Sequence, residues 1–107
     1  MTTINLYQQV GFFAENKDIA AKLRKETILP TLNSGSSIEI DFSGITLATQ
    51  SFIHALISDV LRQHGEDVLS RLKFRNCEKA VRGIVEIVVQ YVLETIEDQV
   101  PTQSNAA

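Results

Sequence analysis

Residues 37–65 read SIEIDFSGITLATQSFIHALISDVLRQHG, and the change of period inside this stretch decides the fold. Ile38, Ile40 and Phe42 alternate with Glu39 and Asp41, the two-residue period of a strand with one dry and one wet face. Ser43-Gly44 signals a turn, and a short apolar segment, 45–48, follows. Beyond Thr49-Gln50-Ser51 the period becomes helical, with Ile53, Leu56, Ile57, Val60 and Leu61 on one stripe. Gly65 stands where a left-handed C-terminal cap is expected. The unit is strand–loop–helix. In open α/β sheets, ligands and partners bind where a strand's carboxyl end meets a helix's amino end. That makes Ser43, Gly44, Thr49, Gln50, Ser51 and His54 candidate partner-binding residues.

On the amino-terminal side, Ile4 and Leu6 alternate with Asn5 and Tyr7, a short strand. The apolar residues 10–13, V-G-F-F, read either as a second short strand or as a packed loop. Asn16 is a candidate N-cap, with Asp18 in the first turn where the helix dipole favours an acid. The helix that follows carries Ile19, Ala20, Leu23 and Thr27 inward and Lys22, Arg24 and Lys25 outward, until Pro30 ends or kinks it.

On the carboxyl-terminal side, residues 71–75, R-L-K-F-R, put Leu72 and Phe74 in and Arg71, Lys73 and Arg75 out. A last helix is predicted over 78–98. Its β-branched run 84–89 has strand propensity, but Val81, Ile84, Val85, Val88, Val89, Val92 and Ile96 keep one stripe over about five turns. That period outweighs propensities of a few tenths of a kcal/mol per residue. Ala80, Ile87 and Tyr91 widen the apolar sector to about half the circumference, where about 100° suffices for packing on one sheet. The surplus is either covered by the neighbouring helix or by residues 10–13, or offered to another protein. Ile87 and Tyr91 therefore join the partner-binding candidates. Residues 99–107, with Pro101, read as a disordered tail to a domain spanning 1–98.

The order is β-(β)-α-β-α-β-α. Every clear strand keeps a polar face, so helices are expected on one face only of a small, mainly parallel sheet. Right-handed crossovers on a single face lay successive strands side by side. This α/β layout excludes a doubly wound nucleotide fold, whose crevice needs a reversal of strand order.

At 107 residues with 44% apolar content, the chain makes one domain that stands without disulfides or metal. A net charge of −3 does not argue for nucleic acid or an anionic membrane as an obligatory partner. A lone cysteine, Cys77, cannot bridge internally and fits a reducing compartment. With no apolar run near about 20 residues and no signal-like N-terminus, a soluble cytoplasmic domain is expected.

The chemistry-bearing residues are few. Thr49 and Ser51 flank the start of the central helix. One of them serves as its N-cap, or the pair marks an anion or phosphorylation site, with Ser51 the candidate for phosphorylation. Asp41 either pairs with Lys73 or Arg75 across the sheet or orients the loop for a partner. His54 borders the apolar stripe, and His64 is expected as a cation near the negative end of the helix dipole. Neither has a metal-spaced neighbour. Cys77 is either a buried structural thiol or one with its pKa lowered by the start of the last helix. The basic run Arg71, Lys73, Arg75, Lys79, Arg82 lacks surface aromatics for stacking bases and reads as a solvated face. No nucleotide loop or nucleophile motif occurs, so no catalytic residue, metal or cofactor is expected.

The string IEIDFSG, with Asp41, Phe42, Gly44 and Ile45, is followed in register by Thr49, Ser51 and Phe52 and later by Phe74 and Asn76. This pattern resembles STAS domains of anti-sigma-factor antagonists, and more closely the STAS-like domain of unknown function DUF4325, over about residues 4–93. The resemblance implies a non-catalytic, bacterial α/β module for protein–protein recognition and regulation, paired with a histidine-kinase-like ATPase. In the antagonists a serine at the start of the central helix is phosphorylated. Here that position is Gln50 and the preceding acid is Thr49, a departure at the switch itself. The acid that the STAS-like family carries shortly after Ser-Phe is also missing, since Phe52 is followed by Ile53-His54-Ala55. The functional expectation is a partner-binding module. A homodimer through the last helix is the alternative, and a small nucleotide binder or enzyme ranks third.

Overall fold

A computed structural model describes residues 2–105, with side chains described for 2–96. Three strands, β1 (Thr2–Asn5), β3 (Ile38–Asp41) and β5 (Leu72–Arg75), form a parallel sheet in the order β1-β3-β5. Successive strands thus lie side by side, as right-handed crossovers on one face require. Ile4 stands beside Ile40 and Phe74 in register, and Thr3 beside Glu39 and Lys73. The first row and the Ile38–Leu72 pair face the helices: Ile4, Ile38, Ile40 and Leu72 are buried, while Thr3 and Lys73 are exposed. The polar alternation has its physical cause here, in a sheet packed on one side.

Helix α4 (Gln50–His64) is the centre of the packed side, lying between α2 (Lys17–Leu23) and α5 (Lys79–Asn105). Phe52, Ile53, Leu56, Ile57, Val60 and Leu61 are fully buried, joined by Phe42 at the end of β3. Truncating such a residue to alanine costs about 2–5 kcal/mol. Gly65 closes the helix with φ 78°, its N–H donating to Leu61 O at 2.7 Å. Helix α5 buries Val81, Val85, Val88 and Val92, so the helical period prevails over β-branched propensity. Its bounds run past residue 98, and side chains of the segment read as a tail, 99–107, lie outside the described residues.

Several local readings change. The first strand stops at Asn5, whose Oδ1 accepts from Gln8 N at 3.1 Å and caps a one-turn helix, α1 (Leu6–Val10). Leu6 is still fully buried, but as a helix residue. Phe13–Ala14 is a strand, β2, that pairs in parallel with β4 (Leu47–Ala48) in a separate two-stranded ladder. Pro30 does not end its helix but distorts it. A π turn over Arg24–Ile28 precedes it, with Leu29 N donating to Arg24 O, and the helix continues as α3 (Leu29–Asn33). A widened turn relieves the clash between the proline ring and the carbonyl four residues back. Arg24, read as outward-facing, donates to Ala55 O at 2.6 Å and ties this helix to α4. Arg71, also read as outward, donates to Leu32 O and Ser36 O, holding the carboxyl end of α3.

The groove between the central and last helices

The loop after β3 is held by Asp41. Its Oδ1 accepts from Ser43 N at 2.9 Å, Ser43 Oγ at 2.7 Å and Asn76 Nδ2 at 3.0 Å. Asn76 sits at φ 60°, a conformation asparagine tolerates better than most residues. The Asn76 hydrogen bond, then those from Ser43, keeps the Asp41 carboxyl below its ordinary range. One carboxylate thereby fastens the turn after β3 to the junction between β5 and α5. This corrects the expected ion pair between Asp41 and Lys73 or Arg75: Arg75 pairs with Glu39, at 3.0 Å. Gly44 has φ +87°, and a Cβ there would lie 2.8 Å from Tyr7 Cδ2. Ser43 and Gly44 are exposed at this turn and do not line the groove described below.

From the turn the chain returns through the β2–β4 ladder, where Thr49 N donates to Ala14 O at 3.0 Å. This bond sets Thr49 at the head of α4, where its Oγ1 accepts from Phe52 N at 3.1 Å. Of the two hydroxyl residues, Thr49 is therefore the cap. Gln50 and Ser51 follow, exposed, in a first turn without an acid, so the positive end of the helix dipole is not offset there.

One turn further along α4, His54 is half-buried, its ring centroid 6.4 Å from that of Tyr91 on α5. Between them opens a groove of about 490 Å³. Gln50, Ser51, His54 and Ala55 form one wall, Ile87, Val88 and Tyr91 the other, and Lys17 at the start of α2 also lines it. Ile87 and Tyr91 are 53% and 59% exposed. The structure thus joins two surfaces that the sequence offered separately, the start of the central helix and the surplus face of the last one. Lys17 was missed. Its proximity to α4 comes from helix packing, and only the Asn16 cap, now seen accepting from Asp18 N and Ile19 N, hinted at a helix start.

The remaining chemistry-bearing residues lie apart from this groove. Burial pushes the Cys77 thiol upward, partly opposed by the Arg82 charge, which favours the protonated thiol over a reactive thiolate. His64 lies in the last turn of α4, as expected, half-buried, with its Nε2 buried and without a hydrogen-bond partner among the described residues. The basic run is dispersed, with Arg71 and Arg75 engaged as above and Lys73 on the open face of the sheet. Among the described residues, no group of three or more His, Cys, Asp or Glu side chains is placed to hold a metal. No helix there is long and apolar enough to cross a membrane.

A family model described as "STAS-like domain of unknown function (DUF4325)" matches residues 20–82, more than half of the chain. No curated protein and no solved structure matches it. The matched segment includes the α4 wall of the groove, whereas Lys17, Ile87 and Tyr91 lie outside it.

Proposed function

Because the chain belongs to the family of STAS-like domains of unknown function, we propose that it is a non-catalytic, regulatory recognition module that docks a protein partner through the α4–α5 groove. One observation carries this reading: Ser51, His54, Ile87 and Tyr91 converge on a single concave surface with a polar rim and exposed apolar anchors. Exposed tyrosine and isoleucine beside exchangeable polar groups suit a protein interface, where aromatic anchors carry most of the binding energy. The partner class is a histidine-kinase-like ATPase, on the resemblance to the antagonists, in a bacterial cytoplasm. Phosphorylation of Ser51 would place a dianion in the first turn of α4 and alter docking directly.

Calorimetric titration with the histidine-kinase-like ATPase domain encoded nearest to this chain tests the reading. Saturable binding is expected, weakened at least about tenfold, or about 1.4 kcal/mol, by Ile87→Glu and by Ser51→Arg. Unchanged affinity in both folded variants rejects the groove. A homodimer through α5 is the second reading, favoured by the exposure of Ile87 and Tyr91 on one face. Light scattering that gives a monomer mass at every concentration removes it.

A further inference from the structure

Strand β5 is an edge of the three-stranded sheet. Ile38 N and Phe42 N donate to Arg71 O and Arg75 O, so the alternation of a parallel ladder turns the Arg71, Lys73 and Arg75 backbone groups toward β3. The N–H and C=O groups of Leu72 and Phe74 then point away from the sheet, and β5 pairs with no other strand among the described residues. An edge of this kind is a template for an incoming strand. The other edge, β1, likewise pairs on one side only. Alongside β5 lies a groove of about 460 Å³ between strand and α5, with apolar lining from Leu69, Phe74, Cys77, Val85 and Val89. Phe74 faces inward and packs 6.3 Å from the buried Phe42 ring, yet it stays only half-buried.

We infer that the β5 edge is a second docking surface, which takes an extended, acidic segment of a partner protein as a fourth strand. Alternate side chains of such a segment enter the groove against Phe74 and Val89, and the others lie on the open face. Charge decides the class of occupant. Lys73 and Arg75 stand on the open face beside the edge, Lys79 and Arg82 follow on α5, and the acids in this stretch are Glu78 just before α5 and Glu86 on the groove's rim. Glu39 neutralises only Arg75. A second copy of this chain pairing through β5 would set Arg71, Lys73 and Arg75 against their equivalents, and like charges across strands are destabilising. An acidic strand meets the opposite situation. This surface is separate from the α4–α5 groove and does not depend on it.

The test uses the full chain and a fluorescein-labelled peptide of the repeating sequence Glu-Val-Glu-Val-Glu-Val. Saturable binding is expected, with hydrogen exchange slowed at the Leu72 and Phe74 amides. N-methylation of alternate peptide amides, which blocks strand pairing without altering the protein, should weaken binding at least about tenfold, as should exchanging glutamate for lysine in the peptide. The inference is overturned by equal binding of the N-methylated peptide or by protection confined to β1 or to the α4–α5 groove. It is equally overturned by a peptide-free dimer that already protects β5, or by no saturation up to about 1 mM. Ile87→Glu should leave this peptide's affinity unchanged, which separates the result from the fate of the α4–α5 groove.

Discussion

Asp41 does more by hydrogen bonding than by charge pairing. Its carboxylate collects three donors from Ser43 and Asn76, and its pKa is lowered mainly by the Asn76 bond. A carboxyl whose pKa is lower folded than unfolded stabilises the fold above its ordinary value of 3.8, and that contribution fades as acid protonates the folded form. Asp41→Ala should therefore lower the urea midpoint at about pH 7, with the gap from wild type narrowing toward about pH 2. Gly44 is a different kind of necessity. At φ +87° with the Tyr7 ring against it, Gly44→Ala should cost about 1–2 kcal/mol from backbone conformation alone. Pairing it with Tyr7→Ala should recover only the steric excess, which a double-mutant cycle in urea measures. The Asp-Phe-Ser-Gly string announced a turn. The Tyr7 contact and the Asn76 bond, to residues more than 30 positions away in each case, could not be read from it.

At the scale of the element, α4 was legible almost residue by residue, because one 3.6-residue stripe, a hydroxyl cap and a closing glycine all agree. What remained open was which hydroxyl capped it. Thr49 does so, so Thr49→Ala should lose about 1 kcal/mol in thermal or urea unfolding. Ser51→Ala should stay within about 0.5 kcal/mol. A reversed ranking would return Ser51 to a structural role. The helix before β3 was less legible, since Pro30 is a strong local stop signal. A π turn accommodates it, and Arg24 bonds Ala55 O on the neighbouring helix. Tertiary contacts overrode local propensity there.

For the whole molecule, one wet face per strand implied helices on a single side, and successive parallel strands followed from crossover handedness. The central strand β3 pairs on both flanks, while β1 and β5 each pair on one. Native-state hydrogen exchange should accordingly be slowest at β3 and the middle of α4, with the outer strands opening at lower free energy. Equal protection across all three strands would contradict a sheet with two free edges. The amino-acid order alone determined the periods, and through them the elements, the one-sided sheet and its strand order, because periodicity and chain handedness are local properties. The tertiary structure alone decided that the start of α4 and the exposed face of α5 share one groove, that Lys17 lines it, and that Arg24, Arg71 and Asp41 are fastenings. Those outcomes depend on how helices pack across the sheet, and distances between residues remote in sequence leave no periodic trace in it.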